Sequence, residues 1–408
     1  MKKLITLLFF SLGMIILSSC ANEADPEADK RFFTKFYDNS NFNIAYTPLD
    51  VAQTSDGGYL VLGLKTVIVP DGGDVEPPVI YIMKTDEFGN FISDLDVPEG
   101  LRMPAPALLK VDGKFYFFCQ TVNNSQSIQL MEVSEAGTIA QQVDIGGTYP
   151  LAAGVDGSSL LLLNLDLEGR QTIMSKVSTS GDILNAKGFN IGAADGGPYA
   201  PESAALEHVQ RTGPQLPFYV GKTTNNLYYF NGIYNYSLST VFTDLIADNP
   251  IGVVQGSNNK GGLSALLSLN GGKFATSRFN YGDNYILPAA ALSINSPTKS
   301  SELGGNPFPE LSPNATVRII NIKIDETDRV IYGSNTRGKQ IALFGYNPAD
   351  GTLAGSRYIG FSNSFELASL TPTADNGLLV LGTTYIAGRF PRICLFKLSA
   401  EALGKSFQ

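Results

Sequence analysis

The chain has 408 residues, 38 acidic against 29 basic side chains and a formal charge of −9. An acidic body of this size without a basic cluster repels phosphate backbones, which argues against nucleic acid as a partner. The single histidine, His208, argues against zinc sites built from several imidazoles and against relays that need more than one.

Taken in order, residues 1–19 stand apart from the fold. Lys2-Lys3 make a basic start and residues 4–17 are an apolar-rich run without charge. That run is too short to span a bilayer comfortably, so it reads as a removable signal. The stretch Leu17-Ser18-Ser19-Cys20 resembles the lipobox of bacterial lipoproteins. The resemblance implies that Cys20 is the lipid attachment site, acylated through its sulfur, with membrane contact through that N-terminal lipid. Loss of Lys2 and Lys3 leaves 27 basic against 38 acidic side chains, a charge of −11. Residues 20–30 are small, acidic and broken by Pro26, a composition that buries no face and reads as a flexible tether. By the lipoprotein sorting rule, Ala21 after the lipid cysteine points to the outer membrane, on its periplasmic or its exposed surface. No later apolar run approaches membrane-spanning length.

Residues 31–408 are expected to form one all-β domain. Residues 31–37 (RFFTKFY) are strand-like but precede the first repeat unit. That unit runs over residues 51–89: a strand, the turn Thr54-Ser55-Asp56-Gly57-Gly58-Tyr59, a second strand, a long loop, and a third strand ending at Lys84-Thr85-Asp86 and Gly89. Asp-Gly supplies the positive φ a tight hairpin needs, and the flanking β-branched and aromatic residues suit a pleated surface. The turn is echoed at Asp112-Gly113, Asp156-Gly157, Asn270-Gly271-Gly272, Asp325–Asp328 and Asp375-Asn376-Gly377, with Arg211-Thr212-Gly213 near the middle of a double-length gap. Seven units of roughly 50 residues, four strands each, predict a seven-bladed β-propeller. A β-sandwich or two smaller β-domains are the alternatives. The last unit stops short of its fourth strand, so residues 31–37 are expected to close the ring by pairing antiparallel with residues 392–398. Such closure hides two strand edges.

The turn Thr-x-Asp-Gly-Gly-Tyr followed by Lys-Thr-Asp-x-x-Gly resembles a propeller repeat common in secreted and lipid-anchored bacterial proteins of uncharacterised function. The resemblance is strong in the first unit, clear in the seventh and fades in the fourth to sixth. It implies a fold and carries no shared catalytic residue.

Departures from the repeat mark candidate sites. Residues 67–78 insert a loop whose Asp71 and Asp74 supply far fewer oxygens than Ca²⁺ requires. Unit four concentrates aromatics and amides, and Tyr228, Tyr229, Tyr234 and Tyr236 are candidate ligand-binding residues, since aromatic faces stack on sugars or peptide groups. The alternative is alternating aromatics in ordinary strands, half of them in the core.

Nothing in the linear sequence assembles a catalytic constellation. Cys119 and Cys394 lie inside apolar runs, in units two and seven, and are expected to be buried, free thiols. There is no phosphate-cradling glycine loop before a helix. With no tryptophan, the Ser-x-Asp-x-Gly-x-Thr-Trp boxes of sialidase-like propellers are absent. Paired carboxylates for glycoside hydrolysis are a spatial relationship that the sequence does not display. No catalytic residue, metal or cofactor is assigned. The expected function is a cell-envelope binding or scaffold module for a glycan, peptide or protein; the alternative is a polysaccharide hydrolase or lyase.

Overall fold

The computed structural model describes residues 32–38, 42–68, 77–122, 126–193, 201–210, 217–386 and 390–407. Cys20 and the signal and tether segments lie outside the described residues, as do Asp71, Asp74 and Arg211-Thr212-Gly213.

Seven separate sheets follow one another along the chain as the seven blades of a propeller. Blade 1 is typical: Ile44–Gln53, Tyr59–Val67, Val79–Thr85 and Phe91–Asp96 pair in sequence order, each antiparallel to the last. Blade 2 begins in two short pieces, Leu101–Arg102 and Leu109–Val111, both paired with Lys114–Thr121, and blades 3 to 6 begin at Pro150–Asp156, Tyr219–Lys222, Gly261–Ser268 and Val317–Ile324. Blade 7 comprises Ser364–Pro372, Leu378–Tyr385 and Arg392–Leu398, with Phe33–Tyr37 as its outermost strand. Phe33–Tyr37 runs antiparallel to Arg392–Leu398, with Phe33 opposite Lys397 and Tyr37 opposite Ile393.

Period-two alternation explains how the blades hold together, because successive side chains of a strand enter opposite sides of a sheet. Leu60, Leu62, Ile80 and Ile82 pack towards blade 2, while Tyr59, Val61, Tyr81 and Met83 pack towards blade 7. Among the described residues the core is seven such clusters, one at each junction between neighbouring blades. The closing strand feeds two of them. Phe33 sits 6.1 Å from the ring of Tyr59, on the blade 1 side. Phe36 packs on Phe365 and Phe396, on the blade 6 side.

The repeat motif has a physical basis that the sequence alone conceals. In blade 1 the buried Lys84 ammonium reaches Thr54 Oγ1 at 2.6 Å and Asp56 Oδ1 at 2.9 Å, and Asp56 Oδ1 also accepts from Gly58 N. In blade 7 Lys397 reaches both oxygens of Asp375, and Asp375 accepts from Thr373 Oγ1 and Gly377 N. A Cβ on Gly58 would stand 2.2 Å from Thr85 O and 2.8 Å from Lys84 Nζ, and one on Gly377 2.1 Å from Lys397 Nζ and 2.5 Å from Leu398 O. The glycines therefore let the turn lie against both the lysine and the backbone of its strand. Asp156 and Lys176 repeat the pair in blade 3 at 2.6 Å.

Three features depart from the regular pattern. The first hairpin of blade 4 turns at Asn225-Asn226, with Asn226 at φ 63°, and not at Arg211-Thr212-Gly213. The preceding length is partly a ten-residue helix, Pro201–Gln210, whose Ala205 enters the core between blades 3 and 4. After the third strand of blade 5, Pro297–Lys299 crosses to the edge of blade 4 and pairs there in parallel; Asn306–Pro307 then returns to the edge of blade 5. Beyond blade 7 the chain forms the helix Ala400–Ser406, N-capped by Ser399, and Phe407 docks against Gly345 in blade 6.

Cys119 and Cys394 are both buried and neither forms a disulfide. Burial pushes the Cys119 thiol up to about 12 and raises Cys394 as well.

Candidate functional site: the central channel and the aromatic face

The first strands of the blades line the axis of the ring. Those of blades 1, 2, 6 and 7 wall a cavity of about 500 Å³, which includes Asp50, Gln53, Lys110, Arg318 and Ser369. Local backbone irregularity places the key groups. In the first strands of blades 1, 3, 5 and 7 the register slips by one residue, at Leu49, Leu151, Ser264 and Ala368. Such bulges bend a strand and re-aim its side chains.

Asp50 follows one bulge and staples three blades. Its Oδ1 accepts from Ser369 Oγ of blade 7 at 2.6 Å and from Val51 N at 2.9 Å. Its Oδ2 accepts from Leu108 N, just before Leu109–Val111 of blade 2, at 2.8 Å. Burial raises the Asp50 carboxyl above the usual range, against the lowering pull of these bonds and of Arg318. Ala368, at another bulge, turns its carbonyl to Arg318 Nε at 2.8 Å. Burial likewise lowers Arg318, while Asp50 opposes the shift. A carboxylate and a guanidinium thus share a sheltered channel.

The loops sort onto two faces. In an antiparallel blade the first and third turns lie on one side, and the second turn and the link to the next blade lie on the other. Neighbouring blades confirm the sorting: Ser55 in the first turn of blade 1 bonds Glu135 in the third turn of blade 2, whereas Tyr236 N, in the second turn of blade 4, bonds Ile191 O of the link before it. The link face carries exposed rings at Phe42, Tyr236, Tyr281, Phe361, Tyr385 and Phe390. Tyr281 is 72% exposed and Phe361 64%. On the opposite face, among the described residues, the exposed rings are Phe91 beside the blade 1 corner and Phe32 just before the closing strand.

Phe361 has a firm base. It packs edge-on against Phe365 and Phe36, at 5.5 and 6.3 Å, and those rings continue into Phe396. An exposed ring on a rigid aromatic stack meets a partner at small cost in side-chain entropy.

The four tyrosines singled out in unit four do not form one surface. Tyr229 is buried between blades 4 and 5, and its hydroxyl donates to Leu266 O at 3.2 Å. Tyr228 and Tyr234 point the other way, half-buried against the blade 3 side, and the Tyr228 hydroxyl donates to Asp156. Tyr236 alone is exposed, in a turn with φ 66°, and its hydroxyl accepts from Ala193 N at 2.7 Å. Strand alternation, the plainer of the two sequence readings, accounts for this separation. Asp50 and Arg318 sit in different blades and carry no motif by which sequence reasoning could have found them. Tyr281 and Phe361 carry a weak one, as aromatics beside glycines in polar turns.

Fold and channel together define a seven-bladed β-propeller. The chain matches no protein-family model and no curated protein. Among solved structures it is similar to the WD40 propeller domain of Doa1, with 10% identity and a TM-score of 0.47, covering 90% of this chain and 96% of that one. It is also similar to the propeller domain of the Trilobed protease from Pyrococcus furiosus, with 10% identity and a TM-score of 0.46, covering 88% and 97%. A K499G mutant of the NanB sialidase from Streptococcus pneumoniae gives 10% identity and a TM-score of 0.47, covering 91% of this chain and 71% of that one. No functional residue is carried over from any of them.

Proposed function

We propose that the protein is a lipid-anchored binding module of the bacterial outer membrane that engages a partner protein through the link face of its propeller. The observation that carries this reading is the gathering of exposed rings on that face, with Phe361 and Tyr281 as anchors. Aromatic side chains on a rigid frame are the groups that dominate protein interfaces. The rings come from blades 4, 5 and 7 and from the links before blades 1 and 7, a spread suited to a broad protein surface. A glycan is the neighbouring alternative, because sugars also stack on aromatic rings.

The test compares the wild-type protein with a Phe361→Ser/Tyr281→Ser double variant of unchanged melting temperature. Both would be used to capture partners from envelope extract, and both would be screened against a glycan array and model glycosides. A protein captured by the wild type and lost with the double variant supports the reading. Glycan binding lost in the same way moves the ligand class to carbohydrate, and turnover of a glycoside overturns the binding-module reading altogether. The anchor is tested separately: Cys20→Ser should abolish labelling by an alkyne fatty acid and release the protein from the membrane fraction.

A further inference from the structure

The channel has a chemistry that the aromatic face does not explain. Arg318 is a cation with one committed donor: its Nε bonds Ala368 O, and no other acceptor bonds it among the described residues. That bond orients the guanidinium and leaves its Nη edge for the channel. The acid that opposes it, Asp50, already accepts from Ser369, Val51 and Leu108. The other polar groups of the wall are likewise in use. Thr371 Oγ1 donates to Val51 O, and the Gln53 side chain is engaged by Gly57 O and Ala374 N. Lys110, on the same wall, donates to the Gln53 carbonyl at 2.8 Å.

We propose that the channel binds a small monocarboxylate with an apolar body, held by the Nη edge of Arg318. Three features select that class. A guanidinium fork matches a carboxylate with two parallel hydrogen bonds. Two cations and one anion, Lys110, Arg318 and Asp50, leave room for one negative charge, and a doubly charged phosphate would meet repulsion from Asp50 and from the acidic body. Val51, Leu108 and Leu370 turn their side chains into the blade junctions, and the half-buried Ile319 and Ile320 with Pro372 supply the apolar surface of the wall, which suits a short aliphatic or aromatic tail. Apolar walls with a few placed polar groups are the usual make-up of a small-molecule pocket.

Calorimetric titration of the full chain with formate, butyrate, octanoate, benzoate and inorganic phosphate, at low ionic strength and neutral pH, tests the proposal. Saturable one-to-one binding is expected for butyrate, octanoate or benzoate, tighter than for formate and than for phosphate. Arg318→Lys keeps the charge but loses the fork and should weaken binding at least fivefold; Lys110→Gln should weaken it two- to fivefold. The Phe361→Ser/Tyr281→Ser variant should bind the carboxylate unchanged, which separates this site from the proposed partner face. Lack of saturation by every carboxylate, tighter binding of phosphate, or equal affinity in the Arg318→Lys and wild-type proteins would overturn it. Lys110→Gln guards against misfolding of the arginine variant, because Lys110 lies at the exposed end of the wall.

Discussion

The Lys397 ammonium, 1% exposed, lies 2.7 and 2.8 Å from the two carboxylate oxygens of Asp375. The lysine is held by burial on its own strand and the aspartate by the turn of residues 373–377, so each fixes the other. The two substitutions should differ sharply in cost. Asp375→Ala strands a buried cation and is expected to cost about 3 kcal/mol. Lys397→Met removes the charge with its partner still solvated and should cost under about 1.5 kcal/mol. Urea unfolding of the two variants measures the difference, and equal losses would contradict the pairing.

Acid stability follows from two of these turn carboxylates. Burial alone would raise Asp56 and Asp156, but hydrogen bonds outweigh it: from Thr54, Lys84 and Gly58 in one case, from Lys176, Lys222 and Tyr228 in the other. Both are held at about 2, below the ordinary 3.8. A folded-state pKa below the unfolded value means stability that is fully present above pH 4 and is lost as pH falls towards 2. The melting temperature should therefore drop steeply between about pH 4 and pH 2, and Asp156→Asn should flatten that drop while lowering stability at neutral pH.

The closing strand should be indispensable. A chain starting at residue 39 loses Phe33 from the blade 1 junction and Phe36 from the blade 6 junction. It also exposes the ladder edge of Arg392–Leu398. Each fully buried aromatic contributes about 1.5–3 kcal/mol, against a typical net stability of about 5–15 kcal/mol. Thermal denaturation should show a fall of many degrees or no cooperative transition, and an unchanged melting point would refute the role given to the strand.

Thiol chemistry gives an independent check on burial. Cys119 and Cys394 should be unreactive towards a disulfide reagent in the native protein and react together on unfolding. Rapid native labelling of either would place it at the surface.

Much of the ring was legible because its turns are local chemistry. Asp56-Gly57, Asp112-Gly113 and Asp156-Gly157 announce left-handed backbone, and Gly57, Gly113 and Gly157 all adopt positive φ. Blade 4 was harder, since Asn226 reaches that conformation without glycine and the helix Pro201–Gln210 lengthens the link before it. The parallel strand Pro297–Lys299 has no local signal at all, because its pairing is set by the distant edge of blade 4. The same holds for the channel: Asp50 and Arg318 meet only once blades 1 and 6 curve round blade 7. The aromatics of unit four were visible but unsorted, and alternation sent Tyr228 and Tyr229 to opposite sides of one strand.

The direction of Phe33–Tyr37 has a consequence for posture. Its pairing with Arg392–Leu398 puts Phe33 level with Lys397, at the end of the blade that bears the first and third turns. The chain therefore enters the propeller from that end at Phe32. From Cys20 to Phe32 the chain reaches at most about 40 Å when fully extended. Were the proposed anchor at Cys20 to hold the protein, that end would lie nearer the bilayer, and Tyr281 and Phe361, on the opposite face, would be held outward like the rim of a cup on a short stem.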